Sequence, residues 1–184
     1  MSIIAKADLA AALKMEASDY MTTVIGRAQS ILEDGFWKRN MESASVTETR
    51  SGDGTSVMFL RQTPVTAITS ITIDDAAVSD VTDTDYVRYN GNNGMLMLMQ
   101  NTFTDDFQNV TIVYTAGYSA DDMPDAIKQA VLELALILWH DTGEGHGRTG
   151  LKSENNPEGG TQSYLRRMNP DTLAAAKRFK RISL

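Results

Sequence analysis

The chain has no cysteine and only two histidines. The first absence excludes a disulfide framework, and with it the small stapled scaffolds of secreted proteins. At 184 residues no staple is needed, since a single domain with an extension buries roughly 70% of its unfolded surface. The second absence narrows the metal and acid–base options. His140 and His146, with Asp141 and Glu144 between them, form the one cluster that could hold a metal, but their spacing does not put both imidazoles on one helical face. A helix end with solvated polar groups accounts for them. Long apolar runs are missing too: Ala130–Trp139 contains Glu133 and is too short to span a bilayer. The start, MSIIAKADLAAALKME, carries one early lysine and Asp8 rather than a basic cluster before an unbroken apolar run, so it does not read as a signal peptide. The expectation is a soluble protein with no membrane partner.

Catalytic signatures are absent as well. GEGHGRTG lacks the lysine followed by serine or threonine of a phosphate-binding loop, and it follows a helix rather than a strand. Asp80, Asp83 and Asp85 are too irregular for a calcium loop and lack its glycine and closing glutamate. No GxSxG elbow exists. The chain is expected not to be an enzyme and to need no cofactor and no metal.

What is present is clearest from Val110 to Val131. Val110, Ile112 and Tyr114 alternate with Thr111, Val113 and Thr115, mostly β-branched, which predicts a strand. Gly117 frees the backbone to leave the sheet, and Pro124 suits the first turn of a helix, with Asp122 and Asp125 as cap and dipole candidates. The helix that follows carries Ile127, Val131, Leu134 and Leu138 on one stripe and Leu132, Leu136 and Trp139 on another. Being apolar nearly all round, it is expected to be central, against its own sheet on one side and a helix or neighbouring subunit on the other.

Elsewhere, residues 8–15 read as a short helix, and Ser18 or Asp19 caps a longer one, with Met21, Val24, Ile25, Ala28, Ile31 and Leu32 at helical spacing until Gly35. Phe36 and Trp37 follow as anchors. Residues 45–50 and 56–61 flank SGDG and read as a hairpin. After Pro64, residues 67–73 form a strand with Ile68, Ile71 and Ile73, and residues 74–84 an acidic loop. Residues 85–89, 95–99 and 109–115 complete a small antiparallel sheet, with NGNNG as a second hairpin signal. The run MLMLM is apolar on both faces, so Met95, Met97 and Met99 belong either to a core covered on both sides or to a subunit interface. Residues 143–160, rich in glycine and polar residues, read as a mobile arm, and a last helix starts with Asn169, Pro170 and Asp171, carrying Ala175, Phe179 and Ile182 as its apolar stripe.

Charge is unevenly spread. The formal net charge is −7, yet from Gly160 to Leu184 the six basic residues Arg166, Arg167, Lys177, Arg178, Lys180 and Arg181 face Asp171 alone, a net of +5 that leaves −12 for the rest. The body repels polyanions and the tail seeks an acidic partner. The tail has three readings: protein docking, a solvated helix end whose charges complement the helix dipole, or nucleic-acid binding helped by Tyr164 and Phe179.

The order PVTAITSITID, DTDYV, GMLML, VTIVYTAGY and MPDAIKQAVLELA resembles the head-tail connector, or adaptor, proteins of long-tailed bacteriophages, and AQSILEDGFW is similar to that family's helical start. The resemblance implies an α+β fold in which a helical bundle carries a small antiparallel β-sheet or hairpin insertion, followed by an extended C-terminal arm. Residues 1–142 would form the connector core, with helices at 8–35 and 123–140 and sheet at 45–115, and residues 143–184 the arm and basic docking helix. It further implies a homo-oligomeric ring, usually dodecameric, in the virion neck, assembled in the host cytoplasm. The ring would sit between the portal protein and a head-completion, stopper or tail component, with DNA in its channel. Tyr164, Arg166, Arg167, Lys177, Arg178, Phe179, Lys180 and Arg181 are the portal-docking candidates on this reading, and Met95, Met97 and Met99 the subunit-interface candidates. The alternative is a nucleic-acid-binding module acting through the basic tail.

Overall fold

Helices gather towards the two ends of the chain and strands in its middle. The computed structural model describes residues 2–78, 81, 87–141, 153–155, 161–163 and 168–180, and its fold is α+β. Two compact units share the chain: residues 1–39 with 122–184, and residues 40–121.

In the helical unit, α1 (Lys6–Leu13) starts two residues before Asp8, whose carboxylate accepts the Ala5 N–H at 2.9 Å and so caps the first turn. The Lys6 ammonium, 2.6 Å from Asp19, ties α1 to the start of α2 (Asp19–Ser30) and holds that carboxyl below its usual range. Met21, Val24, Ile25 and Ala28 bury the inner face of α2, whereas Ile31, expected on the stripe, is exposed. The helical run does not stop at Gly35. It widens into a π-helix over Ile31–Trp37, and because five residues then complete about one turn, Leu32 and Trp37 both point inward. The fully buried Trp37 donates its indole N–H to the Ala176 carbonyl at 3.1 Å.

Pro124 sits at the N-cap of α3 (Asp125–His140), one position earlier than expected, and its carbonyl accepts the Ile127 and Lys128 N–H groups. Neighbours of α3 are α1, α2 and α4 (Pro170–Lys177). Ile127, Ala130, Val131, Ala135 and Trp139 are buried, while Leu132, Leu134, Leu136, Ile137 and Leu138 are half-buried, so cover is complete on one face only. The Asn169 side chain accepts the Asp171 N–H, as the cap sequence predicts. Glu133, the acid interrupting the apolar run of α3, accepts the Asn169 N–H at 3.0 Å and the Thr172 hydroxyl at 2.6 Å, fixing the start of α4. Between α3 and α4, β8 (Ser153–Asn155) pairs antiparallel with β9 (Thr161–Ser163).

The strand unit holds two sheets rather than one. β1 (Ala44–Arg50), β7 (Val110–Ala116), β3 (Val65–Ile73) and β4 (Ala76–Ala77) form the first in the order β1-β7-β3-β4; β2 (Val57–Phe59), β6 (Met95–Leu98) and β5 (Val87–Asn90) form the second in the order β2-β6-β5. Their inner faces share one core, with Val110, Ile112, Tyr114 and Ala116 of β7 against Met58, Leu96, Leu98 and Val87. The uneven spacing of Ile68 and Ile71 follows from a register shift between Ile68 and Ser70, which turns both inward. The hairpin expected around SGDG does not form, since β1 pairs with β7 and β2 with β6. Gly52 lies so close to residue 104 that an added Cβ would sit 1.9 Å from the Thr104 carbonyl oxygen, and its N–H donates to Asn109 at 2.9 Å. The segment is therefore held to the 103–109 loop and passes β2 to the other sheet. The hairpin expected at NGNNG does form, joining β5 to β6.

Glu48 is the one charged residue buried among the described residues. It accepts the Tyr114 hydroxyl at 2.8 Å, the Arg61 N–H at 3.1 Å and Arg50 Nη1 at 3.1 Å, with Arg61 Nε at 3.5 Å. Tyr114 in turn accepts the Gln62 N–H at 3.2 Å.

Glu48→Ala is expected to lower stability by about 2–3 kcal/mol and Tyr114→Phe by about 1–2 kcal/mol in denaturant melts, because each leaves buried donors or acceptors unmet. Two glycines are expected to respond with opposite signs. Gly117 has φ +108 with the Glu42 carbonyl 2.3 Å from a built Cβ, so Gly117→Ala costs more than about 1 kcal/mol. Gly26 lies in α2 with open space around it, so Gly26→Ala raises stability by about 0.5–1 kcal/mol in the same measurement.

Candidate docking surfaces

The methionines of β6 fall on the outer face of the second sheet. Leu96 and Leu98 point into the core, while Met95 and Met97 are half-buried and Met99 is 41% exposed. A strand covered on both faces is thus not what this chain alone builds. Register extends the patch, since Phe59 lies opposite Met95, and Val57 and Arg88 lie opposite Met97. Directly opposed residues share a face. Phe59, 46% exposed, and Val57 therefore enlarge an apolar surface whose methionines are able to adapt to a partner's shape.

The basic candidates divide in two. Lys177, Arg178 and Lys180 are exposed at and just beyond the C-terminal end of α4, where cations complement the helix dipole, and Phe179 is half-buried beside them. Tyr164, Arg166, Arg167 and Arg181 lie outside the described residues. The short helix presenting this charge is fixed by three long-range hydrogen bonds, two to Glu133 and one from Trp37. That anchoring was not read from the sequence, although a lone glutamate inside the α3 apolar run was its signal.

His140 is exposed at the end of α3, and His146, Glu144, Asp80, Asp83 and Asp85 lie outside the described residues. Among the described residues no group of His, Asp and Glu side chains could hold a metal ion. No helix there is long and apolar enough to cross a membrane.

A third surface escaped sequence reading. Three loops of the strand unit meet at Asn109, whose side chain accepts the Gly52 N–H and donates to the Thr104 carbonyl and to Asp74 Oδ1. Its own carbonyl accepts the Asp74 N–H at 3.0 Å. Gln108 donates its N–H to Ser51, and Gly54 to the carbonyl of the buried Phe103. On this stitched tip Phe107 is 79% exposed, the most exposed of the large apolar side chains described. Asp53, Asp105 and Asp106 are exposed on the same loops, and the Thr55 hydroxyl and N–H hold Asp53 below the usual carboxylate range.

Among the described residues none of these surfaces carries a reacting constellation; each presents charge or apolar area. Residues 6–145 match the family model described as head completion protein. No match is found among curated proteins. Solved structures of similar fold include the neck of an empty GTA particle computed with C6 symmetry, at 14% identity and TM-score 0.67 over 99% of this chain and 91% of that one. Another is the neck of a native GTA particle computed with C12 symmetry, at 14% identity and TM-score 0.62 over 100% and 96%. A third is the virion of a native gene transfer agent particle, at 15% identity and TM-score 0.65 over 99% and 91%. At such identity the likeness is one of fold. The family match, spanning roughly three quarters of the sequence, is what assigns the protein: the chain belongs to the head completion protein family, which is structural and not enzymatic.

Proposed function

We propose that this protein is a structural component of a virion neck, forming an adaptor ring between the portal protein and the next neck or tail component, with DNA passing through the channel. The observation that carries the reading is the family match over residues 6–145. Likeness over the whole chain to necks computed with cyclic symmetry supports it. Symmetry gives the methionine face a use: in a ring each copy meets its neighbours through two different patches, and the half-buried Met95 and Met97 with the exposed Met99 form one of them. Twelve copies is the ring size this reading takes, assembled in the host cytoplasm. The helical unit acts as the bundle of the ring body, and an acidic body lining the channel keeps DNA from sticking. The C-terminal arm, with the basic end of α4 and Tyr164, Arg166, Arg167 and Arg181, docks on the portal.

Deleting residues 164–184 is a poor test of that docking, since it strips Glu133 and Trp37 of their partners on α4. Replacing the exposed Lys177, Arg178 and Lys180 together by Gln leaves those bonds intact. The triple variant is expected to keep a cooperative melt, lowered by about 1–2 kcal/mol at most through the lost dipole complement, and to lose co-purification with the portal protein by tenfold or more; undiminished co-purification refutes the docking assignment. The nucleic-acid reading gives a separate outcome on the same variant. It requires wild-type affinity for duplex DNA that falls steeply with salt and that the variant loses. Met97→Glu is expected to leave the monomer folded and abolish rings in electron micrographs of the portal-bound protein.

A further inference from the structure

Phe107 is the most exposed large apolar side chain among the described residues at 79%, and the backbone that carries it is tied down, the next residue Gln108 donating its N–H to Ser51. Exposing an aromatic ring forgoes about 2 kcal/mol of burial, which a partner's socket would recover. The surroundings argue for fixed presentation. Phe103 anchors the loop in the core, and Asn109 joins three loops beneath it through both its side chain and its carbonyl. A loop already anchored in the free protein loses little backbone entropy on docking, and exposed aromatics on such loops are the usual anchors of protein interfaces.

Charge says what kind of surface meets it. Asp53, Asp74, Asp75, Asp105 and Asp106 are all exposed on the three stitched loops. Residues 51–59 and 99–116 contain no lysine or arginine, and neither do residues 74–78. Nucleic acid and anionic lipid are repelled by such a rim. A second copy is a poor match, because its body carries the same negative excess and its one basic segment is assigned above to the portal. A protein with an apolar socket ringed by basic residues fits both the ring and the rim.

We propose that the Phe107 tip of the strand unit is the docking surface for the next neck or tail component, and that this component presents an apolar socket bordered by lysine and arginine. The assignment rests on the neck reading and adds to it which part of the chain meets that next component.

The test places the photo-crosslinking residue p-benzoylphenylalanine at position 107 in the full-length protein and irradiates assembled particles. The expected product joins this chain to one neck or tail protein other than the portal, and Asp105→Lys with Asp106→Lys reduces it at least tenfold. Adducts with a second copy, with the portal or with DNA, or no adduct from particles that contain the protein, overturn the proposal. As a second readout, Phe107→Ser should keep the wild-type melt and portal co-purification while lowering the joining of tails at least tenfold. Tail joining at the wild-type level overturns it as well. Failure of the neck reading itself is told apart by the wild-type chain, which would then be missing from purified particles.

Discussion

The hydrogen bond from the Tyr114 hydroxyl to the Glu48 carboxylate is the constraint on which the strand unit is built. A carboxylate inside a two-sheet core costs several kcal/mol unless its lone pairs are filled. Glu48 fills them from three directions: Tyr114 on β7, Arg50 two positions along its own strand, and the Arg61 backbone and guanidinium on the segment leading to β3. Moving β1 by one residue against β7 would turn Glu48 outward and Thr47 or Thr49 inward, breaking its contacts with Tyr114 and Arg61. Register, the return of the chain from β2 and the start of β3 are thus set together. Only then do β2 and β6 close over the inner face of β7.

How much of this was legible follows from the range of each interaction. β7 and α3 were readable because their signals are local: period-2 alternation, a glycine whose Cβ would strike Glu42, and a proline at the helix start. The SGDG segment was misread because turn chemistry says that the chain bends but not which strand it bends towards. That choice is made by Asn109 and Thr104, more than 50 positions away. Trp37 was legible as an anchor, yet its partner is a backbone carbonyl 139 positions along the chain, which no pattern encodes. Of the site candidates, MLMLM announced its apolarity, but only pairing with Phe59 and Val57 shows which face stays open. Phe107 and Asn109 sit in a loop without periodicity, so nothing in the residues alone distinguished a displayed ring from an ordinary exposed one.

Surfaces of opposite character are held by the same device. In the helical unit, Glu133 and Trp37 fix a basic helix of eight residues that would be marginal alone; in the strand unit, Asn109 fixes three acidic loops that have no regular structure to hold them. In each case a polar group bonded to distant backbone does the positioning, and the charged side chains stay exposed. This separation matters for a protein whose family works by assembly rather than turnover. Association has to overcome lost rigid-body freedom and the ordering of side chains and loops, and only the second of these is open to the design of one partner. Ordering α4 and the Phe107 tip during folding removes that part of the cost before any neighbour arrives. On the docking proposed for these surfaces, charge of one sign at each place acts mainly on the encounter, speeding approach of a complementary surface and raising the energy of wrong pairings. Rigidity supplies the affinity and charge the choice, so changing a carboxylate and loosening its loop should impair assembly by different routes, the first sensitive to salt and the second not.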